Sequence, residues 1–472
     1  MSKRELRSVG IDVGTTTTQV IFSRLVLVNR ASLSQVPHYE FDSREVTYVS
    51  PVAFTPIDLD GHLREDELLA FILEQYRLAG LAPEQIESGA IIITGETSKA
   101  QNARPAVLRL AERLGDFVVA TAGPHLESVI AGRGAGAAEL SVATAGRVLN
   151  IDIGGGTANY ALFEAGRVIG TACMNVGGRL LETDNSGALR HMHEPARAIC
   201  RELFGNEPWT LGREHMEKVA RRMAALIFEV VDGNLTPLAK QLLMTDPLPP
   251  VGHLQALTLS GGVGECYYHD QDPAPFRFGD IGPLLAAALH RDPGLQSLPL
   301  REPKQTVRAT VIGAGAHSLS LSGSTIWLRE MVLPLRNVPV VQCPQTWAAR
   351  QGDGLADGWR QNLKHMDLRA DNDLYALALP QDMPVAYQAI LRCVEELGKF
   401  LQRMTNPHPL LLIARQDLGK VLGMLLQPRL AGRSLAVIDE VATNDGDYID
   451  IGSPLFDGEI LPLTVKSLAF PS

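Results

Sequence analysis

Val9 to Val13 is an apolar run broken by one carboxylate, and after the turn residues Gly14 to Thr17 a second short run, Gln19 to Phe22, comes next. That pattern predicts a β-hairpin. Glu65 to Ala79 places Leu68, Leu69, Ile72, Leu73 and Tyr76 at helical spacing and stops at Gly80. A strand over Ala90–Thr94, a helix over Ala103–Leu114 and a strand over Phe117–Ala120 continue an alternation that implies a mixed or parallel sheet.

Beyond the small-residue segment Ala131–Gly146 the chain repeats its opening, with a strand over Val148–Ile153, a glycine turn, and a second strand over Asn159–Phe163. Helices over Pro195–Phe204 and His215–Val231 and a strand over Leu254–Leu259 complete a second α/β unit. A third is expected past residue 335: strand Tyr375–Leu379, helix Val385–Arg403, strand Leu410–Ala414, helix Leu418–Leu426 and strand Leu435–Val441. The expected division is 1–146, 147–335 and 336–472, all α/β, the last serving partner recognition.

With 472 residues the chain is long enough to bury several cores. Five scattered cysteines without a CxxC pair argue against a disulfide framework or structural zinc and fit a reducing cytoplasm. A net charge of −10 leaves no general basic field for nucleic acid or anionic lipid. No apolar stretch approaches the ~20 residues of a membrane helix, and no apolar run that could serve as the core of a signal peptide comes after the basic Met1–Arg7, since Asp12 arrives almost at once, so a soluble chain without a signal peptide is expected.

The chemistry concentrates in two motifs, IDVGTTTTQ (Ile11–Gln19) and NIDIGGGTANYALF (Asn150–Phe163). Each sets an Asp at a strand end before a glycine turn. Gly14 and Gly154, Gly155 and Gly156 let backbone N–H groups approach a polyphosphate without Cβ interference, and Thr15, Thr16, Thr17 and Thr157 add hydroxyl donors. Asp12 and Asp152 then suit Mg²⁺, which keeps most of its waters and takes only one or two carboxylates beside phosphate oxygens. For one such turn alone, a tight hairpin whose Asp caps an amide is the plainer explanation; the repeat favours phosphate. LTLSGGVGE (Leu257–Glu265) adds Gly261 and Gly262, suited to lie against adenine or ribose, and Glu265. Gly123–Ala137, with Glu127, and Val311–Ser318, with Gly313, both read as small-residue helices for close crossing at a hinge.

This order of elements, over residues 9 to about 320, resembles the actin, Hsp70 and sugar-kinase ATPase superfamily, and NVGGRLLE (Asn175–Glu182) resembles the glycine pair after its second phosphate turn. The resemblance implies two duplicated RNase H-like halves around a nucleotide cleft, succeeded here by a C-terminal α/β domain. It also implies ATP and Mg²⁺ as cofactors, Gly313 among the nucleotide contacts, and Glu127 where superfamily members position the attacking water; a plain helix-surface carboxylate is the alternative for Glu127. Within the superfamily the whole chain most closely resembles the ethanolamine ammonia-lyase reactivating factors, from SVGIDVGTTTTQVIFS through IIITGETSKAQNA to DYIDIGSPL and LPLTVKSLAF.

That likeness implies a chaperone with slow Mg²⁺-dependent ATPase activity, serving ethanolamine degradation. It would make the lyase release damaged cobalamin so that intact adenosylcobalamin binds. The lyase is the expected partner, with self-association and placement in a bacterial microcompartment left open. A sugar or carboxylate kinase and a filament-forming actin relative are the alternatives on the same fold, although no catalytic base for a kinase stands out. No GxxxxGK[ST] occurs. His191 and His193 read as a loop face, Asp439 and Glu440 as turn residues, and Glu96 and Lys99 as cleft or helix-cap residues.

Overall fold

The structure, a computed structural model, describes the chain except residues 1–2, 15–16, 30–38, 52, 57, 59–61, 87, 94–102, 115–116, 122, 208, 270–273, 304–312, 322–325, 345, 351, 403, 431, 453–461 and 470–472. The first sheet is built from β1 (Lys3–Val13), β2 (Thr17–Asn29), β3 (Tyr39–Val49), β4 (Ala53–Phe54), β5 (Ser88–Ile93) and β6 (Phe117–Thr121). Its order is β3-β2-β1-β5-β6, with β4 on β2. The predicted hairpin is antiparallel β1/β2, and β5 and β6 extend β1 in parallel. Helices α1 (Glu65–Leu78) and α2 (Ala103–Leu114) cover one face, packing Leu68, Ile72, Tyr76 and Leu110 against Val9, Ile11, Phe22 and Ile91.

Helix α3 (Pro124–Gly134) and helix α4 (Ala137–Ala143) then lead into the second sheet. Its strands are β7 (Arg147–Ile153), β8 (Ala158–Glu164), β9 (Arg167–Met174) and, after a small hairpin of β10 (Leu181–Thr183) and β11 (Leu189–Met192), β12 (Leu254–Ser260). The order β12-β7-β8-β9 copies β5-β1-β2-β3 strand for strand: an antiparallel meander with a parallel strand added to its first member. Leu300 even makes a parallel bridge to Leu257, where the first half has β6. This repetition is the signature of the actin-like ATPase fold.

Helices α5 (Glu194–Phe204), α6 (Arg213–Asp232), α7 (Pro237–Leu242), α8 (Gly261–His269), α9 (Gly282–Arg291) and α10 (Pro293–Gln296) bury Leu149, Ile151, Ile153, Tyr160 and Leu259 on one face. Strand alternation turns Val148, Ala161, Phe163 and Ala256 to the other, against α4. On that face Gly132 of α3 meets β8 so closely that a Cβ would stand 2.5 Å from Phe163. The small residues of α3 thus serve close packing of helix on sheet, not the crossing of two helices expected from the sequence.

The third sheet runs β13 (Gly313–Leu321), β20 (Pro462–Ala469), β19 (Asp447–Ile451), β15 (Leu335–Val341), β16 (Ala376–Ala378), β17 (Leu410–Ile413), β18 (Leu435–Ile438) and β14 (Trp327–Arg329). β15 to β18 are parallel, and α11 (Trp347–Arg350), α12 (Leu355–His365), α13 (Tyr387–Leu401) and α14 (Gly419–Leu426) cover one face around Trp359 and Phe400. β13 corrects the helix expected from the sequence: Gly313–Ser318 is strand, and Gly313 stands opposite Ala469 in register. Gly and Ser are poor helix formers, and pairing with a strand some 150 residues later overrides local preference. The sheet therefore takes strands from both sides of residue 335. His191, read as loop, lies in β11, and Asp439 is buried, accepting from the amides of Leu418 and Gly419 at the start of α14.

Candidate nucleotide site

The second glycine turn sits at the shared C-terminal end of the parallel strands β7 and β12, where open α/β sheets take ligands. Gly154 N–H donates to Thr157 O at 3.0 Å and closes the turn, leaving Gly155 and Gly156 exposed. A Cβ on Gly156 or Gly262 would meet nothing within 4 Å, and one on Gly154 only Thr157 O at 4.0 Å. Gly261 differs: at φ +81° its Cβ position lies 2.5 Å from Ile153 O, so α8 starts in backbone contact with the strand that ends in the turn. A cavity of about 600 Å³ between Phe228–Leu235 and Pro247–Leu254 lies by the N-terminal end of β12, away from these glycines.

Asp152, 1% exposed, is held from β12: Ser260 Oγ donates to its Oδ1 at 2.8 Å, Asn150 Nδ2 to Ser260 Oγ at 3.0 Å, and Thr258 Oγ1 to Asn150 Oδ1 at 2.8 Å. Register explains the ladder, since Thr258 pairs with Asn150 and Ser260 with Asp152, all on one sheet face. The glycine pair of NVGG buttresses the turn from outside: Gly178 N–H donates to Gly154 O at 2.9 Å and Arg179 N–H to Gly155 O at 2.7 Å. Arg179 Nε stands 3.8 Å from Asp280 Oδ2. Burial pushes the Asp280 carboxyl up to about 6, against the pull of the Gly282 amide and the Arg179 charge.

The first turn repeats the geometry in outline. Asp12 is opposite Gln19 in β1/β2 as Asp152 is opposite Asn159 in β7/β8, and both Asp precede the last residue of their strand. Asp12 is 9% exposed. Thr55 Oγ1 donates to Gly14 O at 2.7 Å and lies 3.0 Å from Thr18 Oγ1, which anchors the start of this turn. Thr15 and Thr16 lie outside the described residues, as do Glu96 and Lys99, and Thr17 is the first residue of β2.

Glu127 is a buried residue of α3, 6% exposed, and not a surface carboxylate. Asn159 Nδ2 donates to its Oε1 at 3.2 Å and approaches Thr157 Oγ1 at 3.3 Å. The structure thereby joins Glu127, Asn159, Thr157 and the second turn. Glu265 is half-exposed on α8 beside His269, whose Nδ1 is 3.3 Å from its Oε1. No group of three or more His, Cys, Asp or Glu residues suited to a metal occurs among the described residues. No helix among them is long and apolar enough to cross a membrane.

The family model for the ethanolamine utilisation protein EutA matches residues 4–471. The chain belongs to this family. It is 60% identical to the ethanolamine ammonia-lyase reactivase EutA of Salmonella typhimurium over 475 residues and 59% identical to that of Escherichia coli, each match covering 100% of both chains. Among solved structures, an Aquifex aeolicus PPX-GPPA enzyme covers 65% of this chain and 99% of its own at 13% identity, with a TM-score of 0.39. The ethanolamine utilization protein EutJ from Carboxydothermus hydrogenoformans covers 66% and 88% at 16% identity, with a TM-score of 0.33. Both of these likenesses are distant.

In this EutA-family chain the sequence motifs located the turns but missed their supports. Ser260, Asn150 and Thr258 offered no signal beyond polar residues recurring at period two in otherwise apolar strands, a pattern that can be sought. Asn159 was within the motif NIDIGGGTANYALF without a role of its own. Thr55 and Arg179 become legible only through contacts across the fold.

Proposed function

We propose that this chain is an ATP-dependent reactivating chaperone of adenosylcobalamin-dependent ethanolamine ammonia-lyase, promoting release of damaged cobalamin so that intact adenosylcobalamin can bind. The observation that carries the reading is the equivalence of Asp12 and Asp152, at the same place in two halves of one topology. End-to-end identity with proteins named for lyase reactivation supports the target.

The residues present fit a nucleotide and Mg²⁺. Gly154, Gly156 and Gly262 leave open space that a Cβ would fill, and the buried Asn159 Oδ1 has no hydrogen-bond partner among the described residues. Asp12 and Asp152 would hold the metal; Gly14, Gly154–Gly156, Thr157 and the threonines after Gly14 the phosphates; Gly261 and Gly262 the adenosine side. Bound Mg²⁺-ATP supplies charge neutralisation at the phosphates and the free energy of a cleavable phosphoanhydride. Ser260 orients Asp152, Asn159 orients Glu127, and Glu127 accepts a hydrogen bond from the attacking water. Opening and closing of the two halves would transmit the nucleotide state to the lyase.

The test is recovery of a lyase inactivated with cyanocobalamin, incubated with this protein, ATP, Mg²⁺ and adenosylcobalamin. Recovery that needs both protein and hydrolysable ATP is expected. No recovery, or equal recovery without nucleotide, overturns the reading.

A further inference from the structure

We propose that Asp367, in the chain just past α12, is a positioning residue for Glu127: its carboxylate caps the helix that presents Glu127 to the nucleotide site. The inference rests on ATP hydrolysis at that site, as proposed for this chain. It begins with a helix that cannot cap itself. The N-cap residue of α3 is Gly123, which has no side chain, and Pro124 opens the helix without an amide proton, so the N–H groups of His125 and Leu126 face outward unpaired by the helix's own residues.

Asp367 supplies what is missing from more than 240 residues away. Its Oδ1 accepts from His125 N–H at 3.3 Å and its Oδ2 from Leu126 N–H. These are the second and third helical positions, the two that an N-cap side chain serves, and the carboxylate charge complements the positive end of the helix. Gly123 makes room for it: a Cβ there would lie 2.6 Å from Asp367 Cγ. Asp367 takes a left-handed backbone, φ +53°, that a non-glycine residue seldom adopts.

The next residue after the two capped amides is Glu127. Its carboxylate is near enough to be felt by Asp367, whose pKa burial raises to about 7, with the Glu127 charge adding to the rise and the two amides opposing it. At the far end of α3, Arg133 pairs with Asp445 at 3.1 Å. Both ends of the helix are thus tied to the C-terminal part of the chain, while its first turn holds Glu127 against Asn159 of the second half. A partner that displaces the C-terminal part would withdraw the cap and loosen Glu127.

The test compares full-length wild type with Asp367→Ala, Asp367→Asn and Gly123→Ala. Loss of a cap weighs about 1 kcal/mol, which converts to a roughly fivefold change. Asp367→Ala and Gly123→Ala should therefore lower kcat for ATP hydrolysis roughly three- to tenfold with little change in ATP affinity. They should also speed hydrogen exchange at the His125 and Leu126 amides by a similar factor. Asp367→Asn, which keeps an acceptor oxygen, should restore most of both. Unchanged exchange in Asp367→Ala overturns the inference, as does faster exchange with wild-type kcat, or an equal defect in Asp367→Asn. A wild-type protein that hydrolyses no ATP overturns the underlying reading and this inference with it, and is distinguished from failure of the inference alone, in which wild type turns over and Asp367→Ala matches it.

Discussion

Asn159 Nδ2 lies 3.2 Å from Glu127 Oε1, a buried hydrogen bond between the second half of the fold and the helix that enters it from the first. The same amide group reaches Thr157 of the second glycine turn. Asn159→Ala should lower kcat on the order of 10- to 100-fold, because Glu127 loses its fixed orientation. ATP affinity, measured by calorimetry, should change much less. Wild-type kcat in a folded Asn159→Ala protein would detach Glu127 from the chemistry.

Asp12→Asn and Asp152→Asn should each abolish Mg²⁺-dependent hydrolysis, since one carboxylate cannot replace two in holding the metal between the turns. Ser260→Ala should act in the same direction but more weakly, roughly tenfold, because it removes one hydrogen bond that orients Asp152 Oδ1 without removing the charge. Steady-state phosphate release across a Mg²⁺ titration reads all three. Full activity in both Asp variants would place the metal elsewhere.

Neighbouring glycines should separate binding from stability. Gly261→Ala forces a Cβ to 2.5 Å from a backbone oxygen at a positive φ and should cost at least about 2 kcal/mol in urea unfolding. Gly262→Val meets open space. It should leave the melting temperature near wild type while weakening ATP binding about tenfold or more. Gly155→Val, whose Cβ would stand 3.3 Å from Arg179 Cβ, should weaken ATP binding more than it lowers the melting temperature.

The contact between α3 and the C-terminal part carries two opposed titrations. Burial raises the Asp367 pKa from 3.8 to about 7, so the protonation-linked part of its contribution to stability is full below pH 3.8 and lost as pH rises through 7. Burial lowers the His365 pKa from 6.5 to about 4, with His125 and Lys364 also lowering it and Asp445 opposing; its contribution is full above 6.5 and lost as pH falls through 4. In the wild type the two slopes largely offset between pH 4 and 6.5. Asp367→Asn should make stability rise with pH across that window, and His365→Asn should make it fall. Urea midpoints at four pH values decide it, and parallel profiles for all three proteins would contradict the burial of both groups.

Most of the elements were legible in the chain because local periodicity carries them. The apolar runs Val9–Val13 and Val148–Ile153, each broken by one Asp and leading into glycine, announced two hairpins and the residues at their tips. The duplication was visible as well, since both halves repeat the same order of strand, glycine turn and strand.

The order of residues along the chain was thus enough to locate most of the strands and the two strand-end Asp residues, each followed by glycine. Which polar side chains hold those residues in place was settled only by packing across the fold. Ser260 reaches Asp152 only because β12 adds to β7 in one register, and Glu127 is buried only because Gly132 lets α3 lie on β8. Gly313 is strand because its partner is Ala469, and α3 is capped because Asp367 arrives from the far side of the fold. In each case the deciding contact joins residues more than thirty positions apart. Propensity and periodicity act over a few residues, so they report where elements form; burial and register across the sheets decide what each side chain faces.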